Sequence, residues 1–157
     1  MAGWQNHRRG TTLRSAASGA RETARLHHVQ LRTYIVEDNA TIRENLIGAL
    51  EELASIASLG WAETENDARN WLGGHDDQWD LAIVDLFLKQ GSGLGVLEAC
   101  RAREGAQHVV VLSNYATPDM RTRCEQLGAD AVFDKSNEID ALVEYCIALS
   151  DAPQTGA

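Results

Sequence analysis

The chain has 157 residues, a formal net charge of −9 at pH 7, 44% hydrophobic and 24% charged residues. That balance fits one globular domain with a sizeable core and excludes fibrous or wholly disordered classes. No apolar run approaches the ~20 residues of a membrane span, and the N-terminus lacks the apolar stretch of a secretory signal, so a cytoplasmic location is expected.

Charge divides the chain. Residues 1 to 32 hold Arg8, Arg9, Arg14, Arg21, Arg25 and Arg32 against Glu22, a balance of +5 that leaves −14 for the remainder. Frequent Gly, Ser, Thr and Ala with weak periodicity mark residues 1 to about 30 as a basic, disordered arm. Nucleic acid, a membrane surface or the acidic face of its own domain would each suit such an arm, and the sequence does not choose among them.

Beyond the arm, apolar runs alternate with helical spacing. Residues 33–36 (TYIV) predict a first strand, followed by Glu37-Asp38 and a helix over residues 40–53 with Ile42, Leu46, Ala49, Leu50 and Leu53 on one face. A second strand is expected at residues 56–62, then a helix capped by Thr64 and running to about residue 72. GGHDD (residues 73–77) reads as a loop before Trp79 and a third strand at residues 81–84 (LAIV), which ends at Asp85. Gly91, Gly93 and Gly95 suit a loop opening a helix through Cys100; their spacing of two lacks the wider interval of a dinucleotide loop. The run 109–112 (VVVL) ends at Ser113, and Thr117 with Pro118 opens a fourth helix to about residue 127. Residues 131–133 (AVF) lead to Lys135, and Ser136 or Asn137 is expected to cap a last helix with Ile139, Leu142, Val143, Cys146 and Leu149 as its core stripe. Cys100, Cys124 and Cys146, each in a predicted helix, read as buried free thiols rather than a disulfide or zinc site. His7, His27, His28, His75 and His108 show no metal-ligand spacing.

Near-continuous apolar strands are those covered on both faces, and alternation with helices predicts a doubly wound α/β fold, a parallel sheet with helices on both sides. Ligands then bind outside the carboxyl ends of the strands, where Glu37, Asp38, Asp85, Ser113 and Lys135 all fall. Crowded carboxylates are costly unless a hard cation neutralises them or one stays protonated, and Mg2+, which uses few carboxylates and accepts phosphate oxygens, is the natural guest. A phosphoryl group there needs an attacking oxygen and positive charge around its equatorial oxygens. Asp85 supplies the first, and Lys135 with the Ser113 hydroxyl the second. Taken singly, Glu37-Asp38 also reads as a solvated turn capping the next helix, Ser113 as a strand-end hydroxyl bonded to backbone, and Lys135 as a surface charge. Their coincidence at successive strand ends favours one joint site.

The ordered set IVEDN, IVDLFL with GSGLGVLEACR, VVVLSNYA and GADAVFDKS resembles the receiver domain of bacterial response regulators, closest in form to stand-alone chemotaxis-type receivers. The resemblance covers residues 32 to about 151. It implies a five-stranded flavodoxin-like sheet, and together with the charge boundary it divides the chain into a basic arm over 1–30, a receiver domain over 31–151 and a short tail over 152–157. It also implies Asp85 as phosphoacceptor, Ser113 as switch hydroxyl and Lys135 as the phosphoryl contact, with Mg2+ held by Asp38, Asp85, the Phe87 carbonyl and, through water, Glu37. The implied donor is a sensor histidine kinase or a histidine phosphotransfer protein, with small acyl phosphates as substitutes. Output is expected through protein contacts at the fourth helix, fifth strand and fifth helix, without an output domain, an enzymatic turnover or direct nucleic-acid binding by the core; homodimerisation stays open.

Two positions depart from the family pattern. Val132 stands where a Tyr or Phe normally lies three residues before the lysine, with Phe133 expected on the opposite face of its strand, and Asn114 follows Ser113 where a small residue is common. Phe87 and Tyr115, two beyond Asp85 and Ser113, should flank the path of attacking water, which predicts slow self-dephosphorylation. Rival classes are a phosphate-independent interaction module or phosphate sink of the same fold, and a Mg2+-dependent phosphohydrolase. The latter needs a general acid two residues beyond its nucleophile, where Phe87 stands.

Overall fold

The computed structural model describes residues 30–151, so the expected arm, apart from Gln30, and the tail lie outside the described residues. In chain order the elements are β1 (Leu31–Val36), α1 (Ala40–Leu53), β2 (Ile56–Ala62), α2 (Glu65–Gly74), β3 (Leu81–Val84), α3 (Gly93–Ala99), β4 (His108–Ser113), α4 (Pro118–Gln126), β5 (Ala131–Asp134) and α5 (Ile139–Asp151). The strands form one sheet in the order β2-β1-β3-β4-β5, with every neighbouring pair parallel. This is the doubly wound order whose switch point lies between β1 and β3, where a crevice opens at the carboxyl edge.

Helices cover both faces. Leu46 and Leu50 of α1 pack with Leu142, Val143 and Cys146 of α5 on Ile35, Ile83 and Leu112. On the other face Ala68 and Leu72 of α2, Val96 and Leu97 of α3 and Cys124 of α4 meet Tyr34, Val84, Val111 and Val132. All four residues of β3 are buried, which explains why that run is continuous rather than alternating. Val132 and Phe133 lie in opposite halves of the core, and Phe133 meets the Tyr145 ring edge-on at 5.7 Å.

The helix starts follow local chemistry. Asn39, Thr64, Ser92 and Thr117 each accept a backbone N–H from the first turn of α1, α2, α3 and α4, satisfying donors that would otherwise be orphaned. The last helix departs from expectation: neither Ser136 nor Asn137 stands directly before it. Glu138 does, its carbonyl accepting from Leu142 N and its carboxylate from Asp134 N at 3.0 Å, while the Asp134 side chain takes Ser136 N at 2.7 Å. Gly73 and Gly74, expected in a loop, complete α2; the His75 ring stacks on Trp71 at 4.2 Å with its Nδ1 2.6 Å from the Trp71 carbonyl, which holds that last turn.

The buried stripe of α1 also differs. Ile42 and Leu53 are 37% and 60% exposed, whereas Arg43 is buried with Leu46 and Leu50. Its guanidinium lies 4.8 Å from the Trp61 ring centroid and donates to the Glu37 carbonyl at 3.0 Å, so the buried charge has both a π face and an acceptor. Cys100, Cys124 and Cys146 are free and buried, as expected. No helix among the described residues is long and apolar enough to cross a membrane.

Candidate functional site

The sheet ladder continues past the strands into the residues that matter. Glu37 N donates to Ala62 O at 3.0 Å, Asp85 N to Val36 O at 2.9 Å and Lys135 N to Ser113 O at 3.1 Å. The loops after β1, β3, β4 and β5 are thereby pinned by backbone bonds at one edge, and their side chains converge there.

Glu37 and Asp85 are only 3% and 7% exposed. With Asp38 they place carboxylate oxygens within 4.8 Å of one another. The Lys135 ammonium donates to Glu37 Oε2 at 2.5 Å and to Asp85 Oδ2 at 2.8 Å, with 9% of its side chain exposed. Lys135 is thus no surface charge, and Asn39, not the acidic pair, caps α1. Each carboxylate pair at such a spacing repels by about 3 kcal/mol at an effective dielectric of 20, and one ammonium leaves the cluster two charges short of neutrality. A divalent cation closes that gap. Glu37, Asp38 and Asp85 form an all-oxygen donor set of a kind that suits Mg2+.

Electrostatic shifts agree with this crowding. Burial pushes the Glu37 carboxyl up, the Lys135 hydrogen bond opposes it, and the neighbouring Asp85 charge adds to it. For Lys135 burial pulls downward, but the hydrogen bonds it donates to Asp85 and Glu37 outweigh it and hold the ammonium charged.

Ser113 is fully buried, and its Oγ accepts from Tyr115 N at 3.2 Å. Phe87 N approaches Asp85 Oδ1 at 3.4 Å, and the Phe87 and Tyr115 rings, 52% and 58% exposed, meet each other at 4.4 Å between centroids. The structure therefore brings all the sequence-predicted residues to one edge.

Three further positions escape a reading of the sequence by motif. Arg43 anchors the Glu37 carbonyl and reaches Glu63 at 3.3 Å; its spacing of three and seven from Leu46 and Leu50 was the available signal. Gly93 lies so close to the Asp85 loop that a Cβ there would stand 2.1 Å from the Asp85 carbonyl oxygen. Arg121 of α4 donates to Ala116 O at 3.0 Å, to Val132 O at 2.7 Å and to Glu138. It ties the loop after Ser113 to the loop that carries Lys135, and nothing in local periodicity announces it.

A doubly wound sheet of this order with a buried acidic cluster at its carboxyl edge defines an α/β domain with a candidate divalent-cation site. The family profile of the response regulator receiver domain matches residues 33–147, and the chain belongs to that family. The photosynthetic apparatus regulatory protein RegA of Rhodobacter capsulatus is 27% identical over 124 residues, covering 75% of this chain and 62% of that protein. A probable transcriptional regulatory protein of Picosynechococcus sp. is 30% identical over 124 residues, covering 75% of this chain and 48% of its own length. The chain thus spans about half to three fifths of the relatives it matches. In fold it is similar to the signal receiver domain of the putative response regulator NarL from Mycobacterium tuberculosis, with a TM-score of 0.68, 22% identity and coverage of 78% of this chain and 98% of that one. Receiver domains are signalling domains of two-component systems that generally bind Mg2+ through acidic residues, and the acidic cluster stands ready in this chain.

Proposed function

We propose that the domain is a phosphorylation-dependent switch that takes a phosphoryl group on Asp85. The observation that carries this reading is the joint contact of Lys135 Nζ with Asp85 Oδ2 and Glu37 Oε2 beside buried Ser113. One Asp85 carboxylate oxygen attacks the donor phosphorus; the new O–P bond forms as the bond to the donor breaks, and the donor's imidazole or acyl oxygen leaves with the electron pair. Lys135 then leaves Asp85 Oδ2 to contact a phosphoryl oxygen and so offsets charge at the equatorial positions. The Ser113 hydroxyl donates its free proton to another. Asp38, Asp85 and the Phe87 carbonyl, with Glu37 acting through water, would hold Mg2+, which would neutralise charge on the same oxygens.

Turning Ser113 toward the phosphoryl group weakens its acceptance from Tyr115 N and moves the loop of residues 114–117. Arg121 passes that movement to β5 and α5, where an aromatic rotor is absent and Val132 stands instead. The output face is α4-β5-α5, acting on a protein target, and the donor is a sensor histidine kinase or histidine phosphotransfer protein in the cytoplasm. The Phe87–Tyr115 pair shields the acyl phosphate from in-line water. A phosphohydrolase reading lacks its general acid, since Phe87 occupies that position.

Intact mass after incubation with Mg2+ and acetyl phosphate tests the reading. One added phosphoryl group that disappears without Mg2+ and in Asp85→Ala is the expected result. Modification that survives in Asp85→Ala would refute the assignment, and beryllofluoride failing to bind the wild type would favour the phosphate-independent module.

A further inference from the structure

The loop that leaves Asp85 closes on itself and is then held from outside. Gly93 N donates to Leu86 O at 2.9 Å, and Phe87 stands opposite Ser92 in a short antiparallel bridge. The far leg of the loop lies against the start of α2: Thr64 and Gln90 form a parallel bridge, and Glu65 N donates to Gln90 O at 3.0 Å. The Glu65 side chain crosses the same gap, its Oε1 accepting from Ser92 N at 3.0 Å. Two glycines make room for it. A Cβ at Gly91 would stand 2.4 Å from Glu65 Cβ, and one at Gly95 would stand 2.3 Å from Glu65 Oε1. Gly91 also has a φ of +81°, a left-handed backbone that suits glycine. Arg69, one turn along α2, donates to Gly95 O at 3.1 Å and lies 3.9 Å from Glu65 Oε2.

We propose that Glu65 is a positioning residue for the Asp85 loop, acting through Ser92 on the Phe87 carbonyl and the Asp85 carboxylate. This role rests on the function proposed above, in which Asp85 takes the phosphoryl group and the Phe87 carbonyl helps to hold Mg2+. A glutamate in the first turn of a helix ordinarily complements that helix's own N-terminal dipole. Glu65 instead reaches across to the backbone donor that faces Phe87, in a cleft that side chains at Gly91 and Gly95 would fill. Bonds to a carboxylate are stronger than those to a neutral acceptor, so this contact fixes the far leg of the loop at Ser92. Phe87 N approaches Asp85 Oδ1 at 3.4 Å, so a displacement of residue 87 is felt at both groups. Partners standing behind a metal's ligands typically change affinity by about 10- to 100-fold when removed.

Calorimetric titration of the full chain with Mg2+, beside the rate of Asp85 phosphorylation by acetyl phosphate, tests this role. Glu65→Ala should weaken Mg2+ binding by about tenfold and slow adduct formation at a fixed Mg2+ concentration. Glu65→Gln keeps an acceptor oxygen at the same reach and should stay within about threefold of the wild type. Glu65→Asp keeps the charge but falls short of Ser92, and should behave like Glu65→Ala. Gly95→Ala is an independent arm: the added carbon would meet the flexible end of the Glu65 side chain, which can swing away, so the fold persists while the carboxylate is expelled. It should weaken Mg2+ binding as Glu65→Ala does and add nothing on top of that variant, as two changes to one contact require. A Glu65→Ala protein with a lower urea midpoint but wild-type Mg2+ affinity would overturn the proposal by reducing Glu65 to a fold contact. An intact Glu65→Asp beside a weakened Glu65→Gln would also overturn it, by assigning the effect to charge alone. A wild type that binds no Mg2+ would overturn it together with the metal site. A wild type that binds Mg2+ but takes no phosphoryl group on Asp85 would strike the phosphoacceptor reading alone, and the Mg2+ affinities of the variants would still decide the role of Glu65.

Discussion

Phe87 and Tyr115 meet ring to ring, with centroids 4.4 Å apart and planes inclined by 52°. Each follows by two residues a side chain of the acidic edge, Asp85 and Ser113, so the pair forms a half-exposed apolar roof between two loops. Replacing it by Phe87→Asn with Tyr115→Glu removes the roof and admits a polar group that can hold water. The phosphoryl lifetime should shorten by about tenfold or more, equivalent to a barrier lower by about 1.4 kcal/mol. Decay of the mass adduct over time measures it, and equal lifetimes in the double variant and wild type would discard the shielding role.

Gly93 is required by close approach. A methyl group there would overlap the Asp85 carbonyl oxygen and stand 2.8 Å from Leu86 Cα, both backbone atoms that cannot step aside. Gly93→Ala should destabilise the fold by about 2 kcal/mol or more and lower the rate of Asp85 phosphorylation, as the loop retreats from Lys135. Gly105→Ala, with nothing within 4 Å of the added carbon, is the matched control. Urea midpoints and adduct formation in the two variants report both effects.

The Arg121–Glu138 clasp sets an acid limit. Hydrogen bonds from Arg121 and then from the Asp134 backbone hold the Glu138 carboxyl below its ordinary value of 4.5. A depressed carboxylate contributes stability above its unfolded value and loses it as pH falls through the folded one. Urea midpoints of the wild type should therefore decline between about pH 5 and pH 3 more steeply than those of Glu138→Gln, which carries no titrating carboxylate. Parallel pH profiles would show that the clasp contributes nothing measurable.

The three cysteines should be inert in the native state. Burial pushes the Cys100 thiol up to about 11 and the Cys146 thiol up to about 12, and Cys124 upward as well. Thiolate, the reactive form, is then scarce at neutral pH. An aromatic disulfide reagent should label the folded protein slowly and all three thiols promptly in denaturant. Prompt labelling of the native chain would contradict the packing of α3, α4 and α5 on the sheet.

The sequence by itself determined the order and type of nearly every element, because strand and helix periodicities are local and the doubly covered strands leave near-continuous apolar runs. It also placed Glu37, Asp38, Asp85, Ser113 and Lys135 at strand ends, which in a parallel α/β sheet share one edge. Boundaries shifted by a residue or two wherever a side chain outside the periodic pattern held a turn, as His75 does for α2 and Glu138 before α5. Only the tertiary structure decided that Lys135 bridges Glu37 and Asp85, 98 and 50 residues away, that Arg43 rather than Ile42 enters the core, that Arg121 joins α4 to β5, and that Gly93 must lack a side chain. Those outcomes depend on the strand order β2-β1-β3-β4-β5, which sets which loop ends are neighbours, and on pairings between groups distant in sequence. Local periodicity carries no information about either.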